Sequence, residues 1–350
     1  EKGMLEDLSG VLKDADILSN IKDAYTKEDG SIYTMPVKFG IPMIEGNKDI
    51  IAGITDLTTE ADAAESQKDS YGKLQFFSDF SIAPSYLIQG TIDNSIPAWM
   101  NEDGTLNENA VKEYLEQVNR IWQTQKNAIE ETKKAYQMGD DWADSDHSGY
   151  MDISGSVTSL LAKVDTVAAG GLLSPEGLVS LDSARKVDPD LDYKLLNGQS
   201  ENCFYPRSAV GVSAKASEKE AAEKFVKFLF EEESQRASNT EGLAVNSKVY
   251  EDMAYWKMGK SSGDTIGSIG ASYDTGDGNI KQIEMDEIIP EDEAIQNIMD
   301  LGKTLTVPAK SNQIIRNAVT ESGEKYLNGE TGLDDAVKEI MQEVNLYLSE

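Results

Sequence analysis

Apolar residues recur along this chain in two rhythms, and stretches of one alternate with stretches of the other. From Asn107 to Met138 the positions Val111, Tyr114, Leu115, Val118, Ile121, Trp122, Ile129 and Tyr136 keep i, i+3, i+4 spacing. That pattern predicts one long helix with a single buried stripe, stopped at Gly139, and it makes Trp122 a core residue. A helix from Ser311 to Leu327 is predicted to end at Asn328-Gly329. Another follows, with Thr331 as cap and Asp334 at N3, and buries Leu333, Ala336, Val337, Ile340, Met341, Val344 and Leu348. Ser217-Glu218-Lys219-Glu220 has the form of a capping box, and the helix behind it is expected to bury Ala221, Ala222, Phe225, Val226, Phe228 and Leu229. The alanine- and acid-rich stretch within Ile51–Ser70 also reads as a helix.

The second rhythm is short apolar runs closed off by turn residues, which predict strands. They are Ile32–Val37 after Asp29-Gly30, Thr166–Leu173, Tyr193–Leu196 before Asn197-Gly198, and Ala209–Ser213. Pro36 and Pro42 supply no ladder donor, so the segment between them is not expected to be a central strand throughout and suits a crossing between lobes. Pro84, Gly90 and Pro97 predict irregular structure over Tyr71–Met100. The Gly-, Ser- and Asp-rich region from Gly259 to Asn279 predicts a long loop. The opening stretch, Glu1 to Tyr33, reads as short helical pieces around Leu5, Leu8, Val11 and Leu12. Strands alternating with helices place the chain in the α/β class.

Composition narrows the function. The chain has 350 residues, enough for two domains or one large two-lobed unit, and 39% hydrophobic residues to fill a core. Acids number 63 against 32 Lys plus Arg, a formal net charge of -31. Such a field repels phosphate backbones and anionic lipid headgroups, which argues against a nucleic-acid or membrane-surface partner. Its plain meaning is solubility. Cys203 is the single cysteine, so no intramolecular disulfide forms, and nothing in the sequence brings it to the single histidine, His147, as a catalytic thiol would require. Cys203 therefore reads as a buried structural residue. No run of about twenty apolar residues marks a membrane span. A chain that opens at Glu1 without methionine is expected to be a processed or trimmed product.

Four stretches resemble the family 1 extracellular solute-binding proteins of ABC importers, the maltose-binding-protein-like group, and they occur in family order. They are Asp29-Gly30-Ser31-Ile32-Tyr33-Thr34-Met35-Pro36; Ala209–Ser213 with the helix Ala221–Leu229; Glu241-Gly242-Leu243-Ala244-Val245-Asn246, with Ala244 where the family usually has proline; and Tyr326–Ala336 ahead of the last helix. The resemblance implies a class II periplasmic-binding-protein fold: two lobes joined by hinge crossovers near Pro36–Pro42 and Pro206–Ala209. The expected division is 1–39 as a partial first lobe, 40–206 as the second lobe, 207–290 as the return to the first, and 291–350 as C-terminal helices packing on the second. The family's opening βαβ unit has no counterpart here, so the first lobe is expected to be incomplete. The resemblance further implies hinge closure on a solute, a carbohydrate, and no cofactor. It also implies a monomer that delivers to ABC permease subunits, on a lipid-anchored cell-surface protein. Gly170-Gly171-Leu172-Leu173-Ser174-Pro175 stands where many sugar binders carry tryptophan, which argues against a maltose-type stacking platform and weakens any specific sugar assignment.

A neutral sugar is held by aromatic faces on C–H patches and planar polar groups on hydroxyl pairs. Candidates on predicted loops and crossings are Phe39, Trp142, Tyr150, Tyr205 and Arg207. For Tyr205 and Arg207 the alternative is a packed hinge with Arg207 in a salt bridge. Asp144–Asp152 has oxygen ligands at the first, third, fifth and ninth positions of a calcium loop and glycine at the sixth, but Gly155 stands at the twelfth, where a bidentate carboxylate belongs. A solvated acidic loop explains it as well. Two rival functions stay open at this point, a glycoside hydrolase using two of the many carboxylates and a surface scaffold that binds no small solute.

Overall fold

The structure is a computed structural model that describes residues 3–67, 83–136, 157–163, 165–237, 242–274, 280–310 and 312–348, with the side chains of 67, of 128–136 and of 273–274 outside the description. Its centre is a six-stranded sheet organised around one strand. That strand, β1 (Met35–Asn47), runs unbroken through both Pro36 and Pro42. The other strands are β2 (Val167–Leu172), β3 (Leu191–Leu195), β4 (Cys203–Val210), β5 (Leu243–Ala244), β6 (Thr265–Asp274), β7 (Ile280–Ile288) and β8 (Val307–Pro308).

β1 changes partners halfway. Residues 35–40 pair antiparallel with β4, and Lys38 and Phe39 also pair with β5. From Ile41 onward the partner on one side is β2, and from Met43 β3 pairs on the other. β1 is thus flanked on both sides in each half, which corrects the expectation that the prolines forbid a central strand. Each proline gives up only its N–H. Its carbonyl stays available, and Pro42 O accepts from Leu196 N at 3.0 Å. β8 lies parallel to the start of β4, so a third chain passage meets the same junction.

Alternation along β1 divides the packing. Met35, Val37, Phe39, Ile41 and Met43 belong to a core shared with the helices Ser19–Tyr25, Pro175–Val187 and Asp292–Thr304. Ile44, on the opposite face, joins a second core built by the helices Leu57–Gln67, Pro84–Ile92 and Glu108–Tyr136 and by the C-terminal pair Gln313–Leu327 and Leu333–Leu348. In the long helix Val111, Tyr114, Leu115, Val118, Ile121 and Trp122 are all buried, as their spacing predicts. The C-terminal pair packs on the helices Pro84–Ile92 and Glu108–Tyr136, whereas Asp292–Thr304 lies against Ser19–Tyr25 and Met253–Trp256.

Several local expectations are corrected. Pro84 and Pro97 open the helices Pro84–Ile92 and Ile96–Trp99, because a first-turn N–H has no helical partner to lose. The Gly259–Asn279 loop contains β6, which pairs with β7 as a separate hairpin. Its strand identity comes from that pairing and from packing on the helix Val157–Ala162, while β7 packs on both Val157–Ala162 and Pro175–Val187. The sequence division places this hairpin in the 207–290 return, while the helices it packs on lie within the chain before residue 207. The capping box at Ser217 does not form: the helix Lys219–Leu229 starts after Glu218 with no side-chain cap. Of its expected apolar face only Val226 is buried, and Phe225 and Phe228 are exposed and stacked on each other.

Candidate functional site

The partner switch in β1 brings both chain crossings to one place. Phe39 lies opposite Pro206, Lys38 opposite Arg207 and Gly40 opposite Tyr205. Phe39, Tyr205 and Arg207 therefore sit within one short piece of sheet, but on different faces. Phe39 is fully buried, edge-on to Phe204 at 6.3 Å and 5.5 Å from the ring of Tyr250. Tyr205 faces the other way but is buried as well, 2% exposed, and Arg207, two residues on, shares its face and is half-buried. Trp142, Tyr150 and the Asp144–Asp152 loop with His147 lie outside the described residues.

The Tyr205 face is built on two glycines. A methyl group on Gly171 would come within 3.3 Å of Tyr205 Cδ2 and 3.0 Å of Leu173 Cδ2, and one on Gly40 would meet Leu173 Cδ2 at 2.5 Å. Bare backbone at Gly40 and Gly171 is what lets the tyrosine ring and Leu173 lie flat across the crossing. Beside them is a buried polar cluster that sequence reasoning missed. Arg316 Nη1 donates to Asp93 Oδ2 at 2.5 Å, with the arginine side chain 9% and the aspartate 1% exposed. Asp93 is positioned by the end of the helix Pro84–Ile92, and its carbonyl accepts from Lys310 N at 3.0 Å. Arg316 comes from the first turns of Gln313–Leu327, whose start is capped by Asn312 accepting from Ile314 N at 3.0 Å and Ile315 N at 3.2 Å. Cys203, buried and free, donates weakly to Asn94 O at 3.8 Å.

The electrostatics of this face follow from its dryness. Burial pushes the Tyr205 hydroxyl well above the ordinary tyrosine range, helped by the negative charge of Asp93. The Cys203 thiol is pushed up to about 12 by burial, which makes it unreactive as a nucleophile. Glu60 is raised to about 8, mainly by burial and then by Asp56. The face therefore carries one neutralised ion pair beside two further cations: the half-buried Arg207, and the buried Lys38 opposite it, whose Nζ donates to the Gln235 carbonyl and whose amine is lowered to about 8 by burial. One signal for Arg316 was present in the sequence: it lies one turn before Val319 and two before Gly323, a cation on the apolar side of its helix.

On the opposite face, a cavity of about 760 Å³ opens between β3 and the helix Asp292–Thr304, with Met43 and Ile298 in its floor. Among the described residues no group of three or more His, Cys, Asp or Glu side chains is placed to hold a metal ion. No described helix is long and apolar enough to cross a membrane.

Residues 1–261 match the family described as bacterial extracellular solute-binding protein. The chain is similar to a family 1 extracellular solute-binding protein from Alicyclobacillus acidocaldarius subsp. acidocaldarius DSM 446, at 16% identity and TM-score 0.53, over 100% of this chain and 80% of that one. It is similar to an ABC transporter associated binding protein from B. animalis subsp. lactis Bl-04, solved in complex with β-1,6-galactobiose, at 15% identity and TM-score 0.54, over 99% and 81% of the two chains. A third likeness is to an ABC transporter solute binding protein from Agrobacterium vitis S4 with bound D-mannitol, at 12% identity and TM-score 0.53, over 99% and 81%. No curated protein matches the chain in sequence.

Proposed function

This chain belongs to the bacterial extracellular solute-binding proteins, and from that premise we propose that it captures a carbohydrate between two hinged halves and hands it on. The recipient is the membrane-spanning part of an ABC importer, and the sugar is released unchanged. The observation that carries the reading is the partner switch in β1, with both crossings held in register at Phe39 and Pro206. A two-strand junction of this kind can bend while each half keeps its own hydrogen bonds. Ser208, opposite the first half of β1, has φ 51, a left-handed conformation that a non-glycine residue adopts only at a cost. Strain at a crossing is where a hinge would store it.

The carbohydrate class is supported by the mannitol and galactobiose bound in the two related structures and by the chemistry of the Tyr205 face. Arg207, half-buried, is the planar group nearest to solvent; Tyr205, 2% exposed, and the buried Asp93–Arg316 pair would present their ring and planar groups to a sugar only as the two halves open. We assign Tyr205 and Arg207 to the ligand side and keep Trp142 and Tyr150 as proposed aromatic contacts from the 137–156 stretch. The proposed role of Phe39 is to fill the hinge from behind. Affinity then comes from stabilising the closed form more than the open one. A monomer held at the cell surface by a lipid anchor belongs to the same proposal.

The test is calorimetric titration with mono-, di- and trisaccharides, polyols, amino acids and peptides, followed by analysis of the recovered ligand. Saturable binding of a sugar recovered intact is the expected result. Binding confined to amino acids or peptides would overturn the carbohydrate assignment, and cleaved sugar would favour a glycosidase.

A further inference from the structure

We propose that the groove between β3 and the helix Asp292–Thr304 is a second binding site, separate from the solute face, for an organic cation with an apolar body. The cavity measures about 760 Å³, within the roughly 300–1,000 Å³ typical of small-molecule sites. Met43 and Ile298, both buried, form its floor with Leu195 and Leu301. Register places Met43 opposite Leu195, and Tyr193, which also lines the groove, opposite Glu45. All of these lie on the Phe39 side of β1, away from Tyr205. Both sites can therefore be filled together, and this inference stands whether or not the solute is a sugar.

The chemistry of the walls selects the guest. Arg185 is already satisfied: its Nε lies 3.2 Å from Asp192, and its guanidinium covers the Tyr193 ring at 5.0 Å. It closes one wall rather than waiting for an anion. Lys194 turns its ammonium to the Ala52 carbonyl at 3.5 Å. On the opposite lip stand Glu291 and Glu293, and neither has an ion pair or side-chain hydrogen bond among the described residues. Asp292 between them is different, being bonded to Lys257 and to Ser262. Acids in a first helical turn stabilise the helix dipole, which accounts for their sign. It does not account for an aliphatic trough of this size directly beneath two unpaired carboxylates. An ammonium or guanidinium at the lip with an alkyl or aryl chain in the trough satisfies both features through charge-assisted hydrogen bonds and burial.

The test uses the full chain labelled for amide NMR and titrated with n-hexylammonium, n-hexanol and n-hexanoate. Saturable shifts confined to groove amides are expected with the ammonium. Its affinity should exceed the alcohol's by about tenfold, and the carboxylate should not bind. Glu291→Gln combined with Glu293→Gln should bring the ammonium down to the alcohol's affinity. Ala294→Trp, which fills the groove without touching the carboxylates, should abolish both, with the amide spectrum elsewhere confirming that the fold is kept. Equal binding of ammonium and alcohol, unsaturable shifts, or an unchanged response in either variant would overturn the proposal.

Discussion

Replacing Gly302 by alanine tests how tightly the rear of the crossing is packed. Gly302 lies in the helix Asp292–Thr304, where alanine would ordinarily stabilise by about 1 kcal/mol. Here a Cβ would stand 2.0 Å from the Tyr250 hydroxyl oxygen and 3.0 Å from its Cζ, with Ile41 Cδ1 at 3.4 Å. The ring has little freedom to retreat, since it packs on Phe39 at 5.5 Å and Trp256 at 5.5 Å. Its hydroxyl donates to the Ile298 and Met299 carbonyls at 3.2 and 3.4 Å. Overpacking costs roughly 1–3 kcal/mol, and a buried hydroxyl that loses its acceptors adds about 1 kcal/mol or more. The clash therefore outweighs the propensity, and Gly302→Ala should destabilise by about 2 kcal/mol. With unfolding entropy near 2.1 cal/mol/K per residue, 350 residues turn that into a fall in Tm of about 3 °C. Tyr250→Phe removes the oxygen in the way, so the double variant should lose at least ~1 kcal/mol less than the sum of the singles. Urea and thermal unfolding of the four proteins supply the cycle. Gly302→Ala as stable as the parent, or strict additivity, would refute the packing described.

Glu60→Gln should flatten the pH dependence of stability. Because the folded carboxyl titrates near 8 and the unfolded one near 4.5, folding favours its neutral form. That contribution is complete below about pH 4.5 and is lost as pH rises towards 8, with a ceiling of roughly 5 kcal/mol. Urea midpoints should match the parent near pH 4 and exceed it above pH 8. Asp93→Asn should cost about 3–5 kcal/mol by leaving Arg316 charged and unpaired indoors, and Asp93→Leu with Arg316→Met should recover most of it. Ser208→Gly should stabilise by about 1 kcal/mol by removing the penalty of its left-handed backbone, read as a rise in Tm.

The fold was legible where periodicity and burial coincide. The stripe from Val111 to Trp122 and the last helix around Ala336, Val337, Ile340 and Val344 are buried as their spacing requires. What the sequence concealed was tertiary. β6 is a strand only because β7 and the helix Val157–Ala162 lie beside it, and its Gly and Ser residues look like a loop in isolation. Pro42 sits in a central strand because only its N–H is missing, a distinction that local rules do not make. At the site, Tyr205 and Arg207 could be named from their nearness to a crossing. Asp93 and Arg316 could not be paired, since more than two hundred residues separate them and no spacing rule links them. Phe225 and Phe228 show the converse: a helical apolar pattern records what could be buried, not what is.

Hinged capture at the β1 crossing is measured most directly by an inter-label distance. Lys224 and Lys338, both exposed, lie on helices on either side of the crossing. Each changed to cysteine and labelled, they can be followed by single-molecule energy transfer, with buried Cys203 left unlabelled. The prediction is a saturable change to one shorter distance as a bound sugar is titrated in, at the concentration that calorimetry gives for binding. A sugar that binds while the distance distribution stays fixed would contradict it.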